Sequence, residues 1–120
     1  AMAAIIGLAA ILVMSLLLMS NARSHDRANW IREGGYKNAA GELCCGERDC
    51  GLKVGGTVRI RPGGYDVDAT FMIHAVGADT LYHVREFVPI DEATPSPTGE
   101  YWRCMLGGKR KCFFAPPPAI

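Results

Sequence analysis

The sequence lacks an excess of charge of either sign. Its 120 residues carry 13 basic and 12 acidic side chains, and setting aside residues 1–24 removes Arg23 alone, which leaves the remainder formally neutral. A neutral domain whose longest basic cluster is Lys109-Arg110-Lys111 has no broad positive field, so nucleic acid is excluded as a partner. That cluster is expected to form the solvated tip of a turn. Missing too are a C-x-x-C redox pair, the C-x-x-C-H of haem attachment, H-E-x-x-H, a phosphate-cradling glycine loop and a Ser-His-Asp motif. These gaps leave no residue assigned to catalysis, and neither a cofactor nor a metal is expected; an enzyme is not the reading. There is no internal repeat.

Ionisable side chains are also absent from Ala1 to Ala22, where the run from Ile5 to Met19 is apolar and helix-forming. Such a helix within a soluble fold would have to be surrounded by core, which a domain of about 96 residues cannot supply. Residues 1–24 are therefore read as a signal peptide or membrane anchor, and residues 25–120 as a small disulfide-stabilised β-rich domain. Ala22-Arg23-Ser24 puts small residues at the −3 and −1 positions of a signal-peptidase site, with His25 as the new N-terminus; Ser20-Asn21-Ala22 is a second candidate. The expected compartment is the periplasm or the exterior. The alternative is an inner-membrane anchor facing the periplasm, because the run approaches the roughly 20 residues that span a bilayer; membrane contact is expected only through residues 1–22, if uncleaved.

Five cysteines, Cys44, Cys45, Cys50, Cys104 and Cys112, follow that segment. In an exported chain this small they point to disulfides among four of the five, with one thiol left over. Many pairings are open, although a Cys44–Cys45 bridge is disfavoured by its geometry. Chain entropy favours long-range bridges: one from the region of Cys44–Cys50 to the last hairpin closes about 60 residues and is worth roughly 4 kcal/mol, against about 2.5 kcal/mol for Cys104–Cys112. The preferred architecture clamps the N-terminal helix and cysteine loop onto that hairpin. A competing reading makes the same five cysteines, with His25, His74 or His83, a metal-binding or thiol-redox set; only Cys45 and Cys50 come near zinc-knuckle spacing.

The rest of the chain reads as mainly β, with a small α+β fold as the variant: about six short antiparallel strands behind a short N-terminal helix. Asp26 is a candidate cap for a helix through Ala28, Trp30 and Ile31, stopped at Gly34-Gly35. From Val54 to Arg61 the period is two, Val58 and Ile60 alternating with Arg59 and Arg61. Pro62-Gly63-Gly64 turns the chain, and Tyr65 and Val67 then alternate with Asp66 and Asp68. Runs over 70–76 and 81–90 flank a turn at Gly77-Ala78-Asp79, Pro95 to Gly99 forms a stiff loop, and residues 101–105 pair with 111–114 around Gly107-Gly108.

Among residues that could carry chemistry, Glu47 and Asp49 read as solvated loop charges beside Arg48. His74, on the face of Met72 and Val76, reads as a partly buried, hydrogen-bonded strand residue. Tyr101, Trp102, Phe113 and Phe114 crowd the last hairpin and cannot all face one core. They are a candidate recognition surface for a protein, glycan or peptidoglycan fragment; the alternative is that they pack on both sides of a hairpin covered by the N-terminal helix.

The string His25-Asp26, Trp30, the C-C-x₄-C cluster from Cys44 to Cys50, Gly63-Gly64-Tyr65, Val88-Pro89, Pro95-Ser96-Pro97, Tyr101-Trp102-Arg103-Cys104 and Lys111-Cys112-Phe113-Phe114-Ala115-Pro116-Pro117 resembles a group of small exported hypothetical proteins of alphaproteobacteria. The likeness covers most of residues 25–120, with a longer Trp30 to Cys44 spacing and with Trp102 where a histidine is common. It implies an exported compartment and a shared cysteine framework, and no activity. The function expected is a structural or binding role in the cell envelope, toward a protein or envelope component; a secreted inhibitor differs only in its partner.

Overall fold

The structure is a computed structural model, and it describes residues 28–46, 48–75 and 77–117. The signal or anchor segment, His25 and the Asp26 cap lie outside the described residues, as do Glu47 and Val76. The elements are a helical turn and a half, α1 (Asn29–Glu33), then β1 (Cys50–Arg61), β2 (Gly64–Ala75), β3 (Ala78–Pro89), a 3₁₀ turn (Ile90–Glu92), β4 (Ala93–Pro95), β5 (Trp102–Leu106) and β6 (Lys109–Ala115). The six strands form one sheet in the order β3-β2-β1-β5-β6-β4. Its neighbours are antiparallel except β4 and β6, which run parallel. The expected antiparallel sheet is corrected at that pair, because the 3₁₀ turn and the Pro95–Gly99 loop carry the chain past the edge rather than through a hairpin.

The long strands follow from alternation. Along β2, Tyr65, Val67, Ala69, Phe71 and Ile73 are buried, while Asp66, Asp68, Thr70, Met72 and His74 take the opposite face. One unbroken strand therefore replaces the two separate runs expected from sequence, and β1 to β3 are each twelve residues long rather than short. β1 and β2 slip by one residue between Lys53 and Gly55. Gly56 sits beside that bulge with φ of +78°, and a Cβ there would lie 2.4 Å from the Asp68 carbonyl oxygen, so only glycine lets the two backbones meet.

Sheet curvature creates the core. β2 and β6 are three strands apart in the order, about 14 Å in a flat sheet. Yet the rings of Tyr65 and Phe113 have centroids 5.8 Å apart, and Phe113 packs with Tyr65, Val67, Ala69, Phe71, Val88 and Ala115. The sheet therefore rolls over itself and encloses one cluster on its concave side. The second cluster lies on the other face of β5 and β6, where Trp102, Cys104, Cys112 and Phe114 meet Ile31 of α1, Cys44, Cys50 and Leu52. Trp30 stands edge-on to Tyr36, Trp102 and Phe114 at 5.0–5.8 Å, a geometry worth roughly 0.5–1.5 kcal/mol per pair beyond area burial. α1 is too short to persist alone and is held by this packing. The Gly34 and Gly35 amides close it by donating to the carbonyls of Trp30 and Arg32.

Candidate functional site

The cysteines divide by backbone direction. Cys44 is fully buried and bonded to Cys112, with Cα atoms 5.7 Å apart; Cys50 is bonded to Cys104, its direct partner in the β1–β5 register. Both bridges thus run to the last hairpin, one from the loop before β1 and one from the first residue of β1. Cys104 and Cys112 also face each other across β5 and β6, but each bonds outward. Cys45 is the free, exposed thiol. It has φ of +62°, a left-handed conformation that costs a non-glycine residue about 1 kcal/mol and turns neighbouring cysteines to opposite sides, Cys44 inward and Cys45 to solvent. With the bridges formed, four of the five sulfurs proposed as soft ligands carry no thiolate. Among the described residues no cluster of three or more His, Cys, Asp or Glu could hold a metal ion.

On the concave side a charged group sits where alternation would place an apolar one. Glu86 of β3 accepts from Arg103 Nε of β5 at 2.5 Å and from Arg110 Nη1 of β6, and Arg110 Nη2 reaches Glu92 at 3.1 Å. The Arg103 side chain is only 7% exposed and Glu86 19%. Arg103 also lies over the Tyr82 ring, whose hydroxyl donates to the Arg103 carbonyl; burial pushes that phenol up, and Arg103 partly offsets the rise. The network ties β3 to the hairpin three strands away, holding the roll closed. Arg110 is therefore a half-buried latch residue and not part of a solvated turn tip. An isolated buried charge is expensive, and the double pairing on one carboxylate is what permits it here.

The opposite face of β1 to β3 is polar and open. Asp68 is its centre: His83 Nε2 lies 2.6 Å from Asp68 Oδ1 and Arg85 Nε 3.6 Å from Oδ2, while Thr70 Oγ1 lies 2.9 Å from His83 Nδ1. The His83 hydrogen bond holds Asp68 below the ordinary carboxylate value, with Arg85 and Arg59 adding to the effect and desolvation opposing it. A groove of about 400 Å³ runs along Thr57, Arg59, Asp66, Asp68 and Arg85. Nearby, Arg61 pairs with Asp66 at 2.9 Å and His74 with Asp79 at 2.5 Å.

Hydroxyl, imidazole and carboxylate are thus in series at Thr70, His83 and Asp68, an order shared with acyl-transfer sites. The setting does not suit that chemistry. Thr70 lies in mid-strand between β1 and β3, so its neighbouring amides are aimed along the sheet and not at the outer face, where an oxyanion would have to sit. The face is also half-exposed, where water weakens electrostatic stabilisation. What the arrangement can do is present fixed, paired charges of both signs on a rigid surface.

Several sequence expectations fall elsewhere. Trp102, Phe113 and Phe114 are at most 3% exposed and Tyr101 is half-buried, so this quartet is core and not a recognition surface. Trp102 and Phe114 face α1, whereas Phe113 and Tyr101 face the concave cluster, as strand alternation requires. His74 is hydrogen-bonded as expected, to Asp79, but it is exposed and not partly buried. Asp49 serves through its backbone, its carbonyl accepting from the Met105 amide at 2.9 Å. The Asp68–His83–Thr70 series was missed as a unit. Its signal was available: Asp66, Asp68, Thr70, Met72 and His74 share a parity opposite to the apolar set, but which β3 residues stand beside them depends on register.

No family model, curated protein or solved structure matches the chain.

Proposed function

We propose that this protein is an exported, non-catalytic structural or binding module of the cell envelope. The observation that carries the reading is the pair of bridges to the last hairpin, Cys44–Cys112 and Cys50–Cys104. Two structural disulfides are compatible with an oxidising, extracytoplasmic compartment, and a domain this small gains from them the stability that its limited core cannot supply. The apolar N-terminal run and the resemblance to small exported alphaproteobacterial proteins support the same compartment. For the binding role, the support is the rigid polar face around Asp66, Asp68, His83 and Arg85, whose paired charges suit recognition of a polar envelope component and whose flanking amides offer nothing to a developing oxyanion.

The test is to produce the full chain in a Gram-negative host, fractionate, alkylate before and after reduction, weigh the intact protein and analyse the same sample for metal. Recovery from the periplasmic or envelope fraction with one free thiol, two bridges and no stoichiometric metal is expected. Cosedimentation with envelope material should weaken on Asp68→Lys, measured at a temperature where far-UV dichroism shows the variant still folded despite the loss of its His83 and Arg85 pairs. A cytoplasmic protein with five thiols, or one zinc per chain on those thiols, would overturn the reading in favour of metal or redox chemistry.

A further inference from the structure

The sheet's edges are not equally protected. β4 is three residues long and ends in Pro95, a strand too short to recruit another. Along β1, beyond the three residues that pair with β5, the edge carries a bulge at Lys53/Gly55, two glycines, Arg59 and Arg61. β3 has no bulge and no glycine, and its outer-face charges, Asp79 and Arg85, are of opposite sign. It is twelve residues long, pairs with β2 without a register shift from Gly64↔Pro89 to Ala75↔Ala78, and has no proline before its last residue. Its one inward charge, Glu86, is neutralised by Arg103 and Arg110 and so does not repel an incoming strand.

Register decides which β3 groups are free. A two-residue connection makes Ala75 and Ala78 a hydrogen-bonded pair, so even-numbered β3 residues bond to β2 and the amides and carbonyls of Asp79, Leu81, His83, Arg85 and Phe87 point to the open edge. The side chains of those same residues lie on the outer face, with Leu81 62% and Phe87 47% exposed and Arg85 the most exposed of the paired side chains on that face.

We infer that β3 pairs antiparallel with β3 of a second copy of this chain, about a two-fold axis through Tyr82. In that register Asp79 stands opposite Arg85 of the second copy, and Arg85 opposite its Asp79, with Leu81 beside His83 in the same reciprocal way. Moving the axis to Leu81 or His83 breaks both charge pairs, and moving it to Val84 sets His83 against Arg85. The self-complementary register joins the two sheets through about eight backbone hydrogen bonds and gives a closed dimer, since a two-fold interface uses the edge up. This surface is independent of compartment and of the polar groove's own ligand.

The test is sedimentation velocity of the full chain, with Cys45 alkylated, from 1 to 200 μM (about the range that separates weak from stable dimers). A monomer–dimer equilibrium is expected. Arg85→Asp, which sets like charges opposite each other, should weaken it at least tenfold, and Asp79→Arg combined with Arg85→Asp should restore it. Leu81→Pro removes an edge amide without touching a β2 bond, so it should abolish dimers while thiol counts and far-UV dichroism stay unchanged. A chain that is monomeric throughout overturns the inference. So does a dimer indifferent to Leu81→Pro and to the charge swap, or a monomer that takes up only a foreign extended peptide along β3.

Discussion

Removing the bridges one at a time and then together tests the topology of the cross-links. Taken alone, Cys44–Cys112 and Cys50–Cys104 span 68 and 54 residues, and loop entropy values each at about 4 kcal/mol. They are nested, however. With either in place, the path between the remaining pair runs through the existing bridge and covers only about 16 residues, which reduces the second closure to about 3 kcal/mol. Replacing one pair by alanines should therefore cost about 3 kcal/mol whichever pair is chosen, and removing both should cost about 7, more than twice a single loss. Urea melts of the two double variants and the fourfold variant, with an osmolyte series to keep the last one folded, give the three values. A fourfold loss equal to or smaller than the sum of the two single-bridge losses would refute the nested-loop argument, as would one bridge proving several-fold more costly than the other.

Glu86→Gln keeps the shape of the latch but leaves Arg103, 7% exposed, without a countercharge and Arg110 with Glu92 alone; a loss of about 2–4 kcal/mol in chemical denaturation is expected, and one under about 0.5 would show that the roll is held by Phe113 packing alone. For Asp68 the sign is set by its lowered folded-state value: the carboxylate contributes stability above its unfolded pKa of about 4, and that contribution is lost as pH falls through the lower folded value. Asp68→Asn should flatten this part of an acid titration, and identical acid limbs in the two proteins would remove the His83–Asp68 pair from the account. Iodoacetamide under native conditions should modify Cys45 alone and completely, while Cys45→Ser leaves both bridges and the thermal midpoint in place; incorporation at any second cysteine would contradict the pairing.

What the sequence determined by itself was what short-range chemistry encodes. Alternation from Tyr65 to Asp68 sorted residues onto two faces, because a strand's side-chain period is two whatever it packs against. Pro62-Gly63-Gly64 and Gly107-Gly108 marked turns through the conformations glycine permits, and five cysteines in a short chain announced cross-links. Alternation also required the four aromatics of the last hairpin to divide between faces, though it left open whether either face was covered.

Tertiary structure decided everything that depends on what lies opposite a face. It rolled the sheet so that Phe113 fills the space over β2, and it drew Arg110 from a basic cluster onto Glu86. It also set the β2–β3 register that places His83 between Asp68 and Thr70. The bridge pairing belongs here as well. Cys44 and Cys45 are neighbours with the same chemistry, and only the left-handed turn at Cys45 directs one to Cys112 and the other to water. Local pattern cannot encode such choices, because each is made between residues tens of positions apart and is settled by the free energy of closing one compact core.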